Sequence, residues 1–144
     1  MRILLVHCDR SPWAATQRAI SLKKEWVNDE VNIVNRWNLP DGDKYDVIHF
    51  LYSGALTKSK EYILKHKDKV FTSLVSQRSL DGIWDNQEDL LEIYRKTACC
   101  VCHNSELENR LRKLIGKGNI TYIPNGVDEN LFNRKFIAGY VGAK

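Results

Sequence analysis

The chain has 144 residues, 43% of them hydrophobic and 28% charged, with a formal net charge of +4, a size and composition that fit one folded globular domain. No apolar stretch approaches the ~20 residues needed to cross a bilayer. The opening Met1-Arg2-Ile3-Leu4-Leu5-Val6 is cut by His7-Cys8-Asp9-Arg10 before a secretory apolar region can form, so the expected location is the cytoplasm. The mild charge, with a pI near 8.9, excludes the concentrated basic face of a nucleic-acid binder.

Short apolar runs alternate with helical patterns along the whole chain. Strands are predicted over 2–7, 30–35, 46–51, 69–74, 98–102 and 119–123, several of them continuously apolar. Strands buried on both faces read this way, as in a parallel sheet covered by helices. After the first strand, Ser11-Pro12 offers an N-cap and a proline at the first helical position, and Ala15, Ala19, Leu22 and Trp26 recur at helical spacing. The segment 37–44 is too polar and turn-rich for a full helix, and 56–66 gives a weaker helical pattern. Asp85 is placed to cap a helix carrying Leu90, Leu91 and Tyr94. Ser105-Glu106-Leu107-Glu108 fits a capping box, with Leu107, Leu111, Leu114 and Ile115 as the buried face and Gly116 as the stop. The fold expected from this alternation is α/β, a doubly wound, mainly parallel Rossmann-like sheet with helices on both faces.

Two clusters have alternative readings. The lysines between Lys58 and Lys69 form either a solvated helix face or a surface attracted to anionic headgroups or a phosphorylated acceptor, which would allow peripheral membrane contact. Cys99, Cys100 and Cys102 lie in one apolar strand, where Cys100 and Cys102 share a face and Cys99 points away. Buried free thiols are therefore expected rather than a metal site, for which only His103 and Cys8 could add ligands.

In an open α/β sheet, ligands bind beyond the carboxyl ends of the strands. That rule selects the loops at 7–11, 52–54, 75–79, 103–105 and 124–128, with Ser11, Trp13, Tyr52, Gln77, Arg78 and Asn104 as candidate ligand contacts. His49 and Arg78 are the catalytic candidates. A histidine inside a buried strand can equally be a hydrogen-bonded core residue, and Arg78 can equally be a surface ion pair. No G-x-G-x-x-G, G-x-x-x-x-G-K-[ST] or G-x-S-x-G pattern occurs. Asp81, Asp85 and Glu88 read as helix-start residues that favour the dipole. A receiver domain is disfavoured because Asp9 stands alone after the first strand.

The last forty residues are more specific. Ile123-Pro124-Asn125-Gly126-Val127-Asp128, followed by Phe132, resembles the I-P-N-G-V-D-x-x-x-F signature of family-4 glycosyltransferases of the GT-B fold. The helix 105–116 loosely resembles that family's S-x-x-L-x-x-x-L-x-x-x-G segment, and Gly139-Tyr140-Val141-Gly142 resembles the strand that opens its second domain. The resemblance implies an N-terminal acceptor-side domain at 1–134 and, at 135–144, the start of a C-terminal nucleotide-sugar-binding domain that the chain does not include. Pro124, Asn125, Gly126 and Asp128 would form the interdomain motif. The whole enzyme would transfer a sugar, with retention, from a nucleotide-diphosphate sugar to an acceptor hydroxyl, the acceptor being lipid-linked or polysaccharide, without a metal or another cofactor. This chain alone is then expected to be inactive. Two departures stand out: the first loop lacks the family's glycines, and the fourth strand ends in Thr72-Ser73-Leu74-Val75-Ser76 where many members carry a histidine. These departures favour an alternative, a non-catalytic sugar- or partner-binding module.

Overall fold

A computed structural model describes residues 1–11, 14–116 and 118–124. Six strands, β1 (Arg2–His7), β2 (Glu30–Asn35), β3 (Val47–Phe50), β4 (Val70–Leu74), β5 (Cys99–Cys102) and β6 (Ile120–Tyr122), form one sheet in the order β2-β1-β3-β4-β5-β6. Every pairing is parallel. The helices are α1 (Ala14–Glu25), α2 (Lys60–Lys65), α3 (Gln77–Leu80), α4 (Gln87–Lys96) and α5 (Ser105–Ile115). The expected doubly wound architecture is thus the observed one.

The sheet is covered unequally on its two sides, and period-two alternation within the strands sorts the side chains between them. Leu4, Val6, Ile48, Phe50, Val70, Leu74, Cys100, Cys102 and Ile120 pack with Leu56, Ile63, Leu80, Leu90, Tyr94, Leu107 and Leu111 from α2 to α5 and the turn before α2. On the opposite face, Ile3, Leu5 and Val31 pack with Ala19 of α1 and with Leu51, and Leu22 and Trp26 extend that contact. Chain order explains the split. The path from β1 to β2 runs one way across the sheet and needs α1 on one face, whereas β3 to β6 run the other way and place their crossovers opposite.

Several local details differ from the sequence-based expectation. Asn86, not Asp85, caps α4 and accepts from the Asp89 N–H at 3.1 Å. Asp85 instead reaches back to the 3-10 turn Leu56–Ser59, accepting from the backbone N–H groups of Leu56 and Thr57 at 3.2 Å each and from the Thr57 hydroxyl. Asn104 caps α5, accepting from Leu107 N–H at 2.8 Å, so Ser105 is the first helical residue and Glu108 pairs with Arg112 rather than closing a capping box. Leu114 is exposed, since it lies off the Leu107–Leu111–Ile115 stripe. Asp81 follows α3 and pairs with Arg110. Gly116 does end α5, with φ of +67° and its N–H donated to the Arg112 carbonyl. The polar segment before β3 makes only two 3-10 turns, Arg36–Asn38 and Gly42–Lys44.

Of the lysine cluster, Lys60 is held by Asp89 at 2.6 Å and Glu92 at 2.5 Å, and Lys69 donates to the Tyr45 carbonyl at 2.9 Å. Pro12, Trp13, Asn125, Gly126, Asp128, Phe132 and the segment 135–144 lie outside the described residues. No described helix is long and apolar enough to cross a membrane.

Candidate functional site: the strand-order reversal between β1 and β3

The chain leaves β1 for β2 and then returns to β3 on the other side of β1, so the strand order reverses between β1 and β3. At such a point two loops diverge to opposite faces and leave a crevice at the carboxyl edge. Here the strand order places that point between the loop after β1, beginning at His7, and the loop after β3, running from Leu51 to Ala55.

The first loop is tied down by its own side chains. The Asp9 Oδ2 accepts from the Thr16 N–H at 2.8 Å and from the Thr16 hydroxyl at 3.0 Å. Because that hydroxyl proton goes to Asp9, Thr16 Oγ1 serves as acceptor for His7 Nδ1–H at 3.2 Å. An N–H in the first turn of α1 therefore already faces a carboxylate, in the position where a glycine-rich loop would present it to a phosphate. The Asn35 side-chain amide donates to the Asp9 carbonyl at 2.6 Å. Arg10 and Arg36 lie over the Trp37 ring at 5.9 and 4.3 Å from its centroid. Burial, with Asp9 beside it, pushes the Cys8 thiol up, which disfavours the thiolate.

The second loop is held from the opposite side of the molecule. Ala55 adopts the left-handed conformation, φ 60° and ψ 26°, which costs an L-residue about 1 kcal/mol. A Cβ at Gly54 would lie 3.0 Å from Trp84 Cε3, so a side chain there would press on the indole. Asp85, next to that tryptophan, caps the turn that follows. Ser53 is fully buried, and its Oγ accepts from the Ser79 hydroxyl at 2.8 Å.

The candidate residues occupy quite different settings. Tyr52 is buried in the core against Phe50, with ring centroids 5.9 Å apart, and its hydroxyl has no hydrogen-bond partner among the described residues. Burial raises its pKa. Gln77 donates to Glu106 Oε1 at 2.7 Å, Arg78 is exposed on α3, Ser11 is exposed, and Asn104 caps α5. Pro124 is exposed just past β6. An open depression lined by Ser105, Glu106, Asn109, Arg110 and Lys113 runs along α5 and includes none of the candidates.

His49 sits differently from the rest. It projects from β3 on the α1 side, and its Nε2 shares a 3.0 Å hydrogen bond with Ser73 Oγ of β4. Burial, aided by repulsion from His103 and Arg18, pushes its pKa down to about 4, so the ring is neutral near pH 7. An imidazole of β3 thus lies beside Ser73 of β4. Its surroundings are not legible in the sequence, because Arg18, Ser73 and His103 belong to three other elements. Cys99, Cys100 and Cys102 are free thiols, the latter two buried, and no described group of His, Cys, Asp and Glu could hold a metal ion. Burial raises the pKa of Cys99 and Cys100.

The all-parallel sheet, its strand order and the crevice at the β1/β3 reversal define a Rossmann-like doubly wound α/β protein. Neither protein-family models, nor curated proteins, nor solved structures give a match to the chain.

Proposed function

We propose that this chain is the acceptor-side domain of a retaining GT-B glycosyltransferase, acting with a second domain that binds a nucleotide-diphosphate sugar. The observation that supports the reading most is the seam after β6. Ile123-Pro124-Asn125-Gly126-Val127-Asp128 follows immediately on the last strand of a six-stranded parallel sheet, and it resembles the interdomain motif of that family at the corresponding place in the architecture. In such a reaction the leaving diphosphate is stabilised by charge while the acceptor hydroxyl attacks from the same face, so positioning outweighs covalent chemistry. Neutral His49, bonded to Ser73, is suited to orienting a hydroxyl rather than to supplying positive charge.

The test is an assay of the protein expressed from the entire reading frame containing residues 1–144, with UDP-, GDP- and ADP-sugars. Release of the nucleoside diphosphate from one donor class is the expected result, with none from residues 1–144 alone. Failure with every donor, by a folded protein, would refute the reading. A second reading, a non-catalytic sugar- or partner-binding module, is favoured by one observation: Asp9 takes the α1 N–H group that a glycine-rich loop would offer to a diphosphate.

A further inference from the structure

Three groups able to carry positive charge approach one another from three elements on the α1 side of the carboxyl edge. Arg18 of α1 reaches over the sheet and donates from a guanidinium nitrogen to the Leu51 carbonyl at 3.2 Å, two residues past His49. His49 of β3 extends towards Ser73 of β4. The register pairs Ser73 with Val101 of β5, two residues before His103. His103 donates from Nδ1 to the Ile123 carbonyl at 3.2 Å, which leaves its Nε2 as the free ring nitrogen. That Nε2 is buried and has no hydrogen-bond partner among the described residues.

An unpartnered buried nitrogen is unfavourable, and the setting compounds the cost. Among the described residues no carboxylate is hydrogen-bonded to Arg18, His49 or His103. The acid that acts on Arg18, Asp9, is committed to Thr16. His7, at the end of β1, is committed to the Thr16 hydroxyl. The remaining neighbours from β4 and β5, Ser73 and Val101, do not ionise.

We propose that Arg18, His49 and His103 form a binding site for one phosphate-type oxyanion, seated beside Ser73 over the ends of β3, β4 and β5. The oxyanion supplies what all three lack. Arg18 has further N–H donors beyond the one used on Leu51, and a phosphate monoester presents three acceptor oxygens, enough to meet the guanidinium and two imidazolium N–H groups. Without the anion, burial and mutual repulsion lower the pKa of both imidazoles. With it, both favour the protonated form, so binding takes up protons and weakens as pH rises through the bound-state pKa values. The inference stands on these side chains and is independent of whether the chain transfers sugar.

The test follows the imidazole Hε1 resonances of residues 1–144 during titration with inorganic phosphate and with glycerol 3-phosphate, at about pH 6 and about pH 8. The chain has four histidines, so single substitutions assign them, and His66, buried near Tyr62 and Asp43 on the other face, reports intact folding. The expected result is a saturable shift of His49 and His103 with one common affinity, weaker by about tenfold or more at the higher pH. Arg18→Gln should weaken binding about tenfold, and Arg18→Lys, which keeps the charge, should fall between. Flotation with phosphatidylcholine vesicles, with and without phosphatidic acid, separates the sources. Arg18-dependent binding to phosphatidic acid without a response to soluble phosphates assigns a lipid headgroup, whereas a response to the soluble esters assigns a free phosphate. No saturable shift from either soluble probe together with no Arg18-dependent vesicle binding would overturn the proposal. So would binding left unchanged in both Arg18 variants.

Discussion

Asp85 gives the sharpest test of how the crevice is held. Its carboxylate accepts from two backbone N–H groups at 3.2 Å and from the Thr57 hydroxyl. Both Asp85 and Leu56 are buried, so water cannot replace the lost acceptor. In Asp85→Ala the loss of a cap costs about 1–2 kcal/mol, and leaving the buried Leu56 N–H unpaired adds about 1–3 kcal/mol. We expect a total of about 2–4 kcal/mol, since the two terms partly overlap. At about 4 °C per kcal/mol, this lowers Tm by about 8–16 °C. Urea denaturation of Asp85→Ala, Thr57→Val and the double variant measures both the total and the coupling. Because Thr57→Val removes one of Asp85's donors, the pair should couple by at least about 0.5 kcal/mol. A loss below about 0.5 kcal/mol with no coupling would show that Asp85 does not hold the loop after β3.

Tyr94 is fully buried and its hydroxyl has no partner among the described residues, so Tyr94→Phe should be neutral or stabilising by up to about 1 kcal/mol in urea denaturation. A Cβ at Gly42 would lie 2.6 Å from His66 Nε2 and 2.8 Å from the Tyr62 hydroxyl. Gly42→Ala should therefore destabilise by about 1–3 kcal/mol, and an unchanged urea midpoint would contradict that packing. His49, with its pKa pushed down to about 4 from 6.5, binds its proton more weakly folded than unfolded. Its stabilising contribution is therefore complete above about pH 6.5 and is lost as pH falls towards 4, by about 2–3 kcal/mol. Stability measured against pH should decline over that window, and His49→Gln should flatten the decline.

The sheet was legible because buried parallel strands advertise themselves as continuous apolar runs: the six predicted segments agree with the six strands to within a residue at each end. Capping was less legible. Asp85-Asn86 and Asn104-Ser105 each place two good caps side by side, and which one serves depends on backbone angles that tertiary packing fixes. Asn104, at φ −147° and ψ 160°, is extended and so takes the cap position, leaving Ser105 helical. Asp85 was drawn to a partner 28 residues away, a distance no local motif encodes. Short α3 is not legible in the sequence because four residues carry no period. His49 is legible as a histidine in an apolar strand, but the residues that set its environment, Arg18, Ser73 and His103, lie on other elements that only the fold brings near.

The most direct test of the proposed function is the stereochemistry of sugar transfer by the protein encoded by the whole reading frame. A proton NMR time course with the donor sugar that supports turnover should show the first-formed product with the anomeric configuration of the donor. Inversion at that carbon, or the absence of transfer from every nucleotide sugar to any hydroxyl acceptor, would contradict the proposal that this chain is part of a retaining glycosyltransferase.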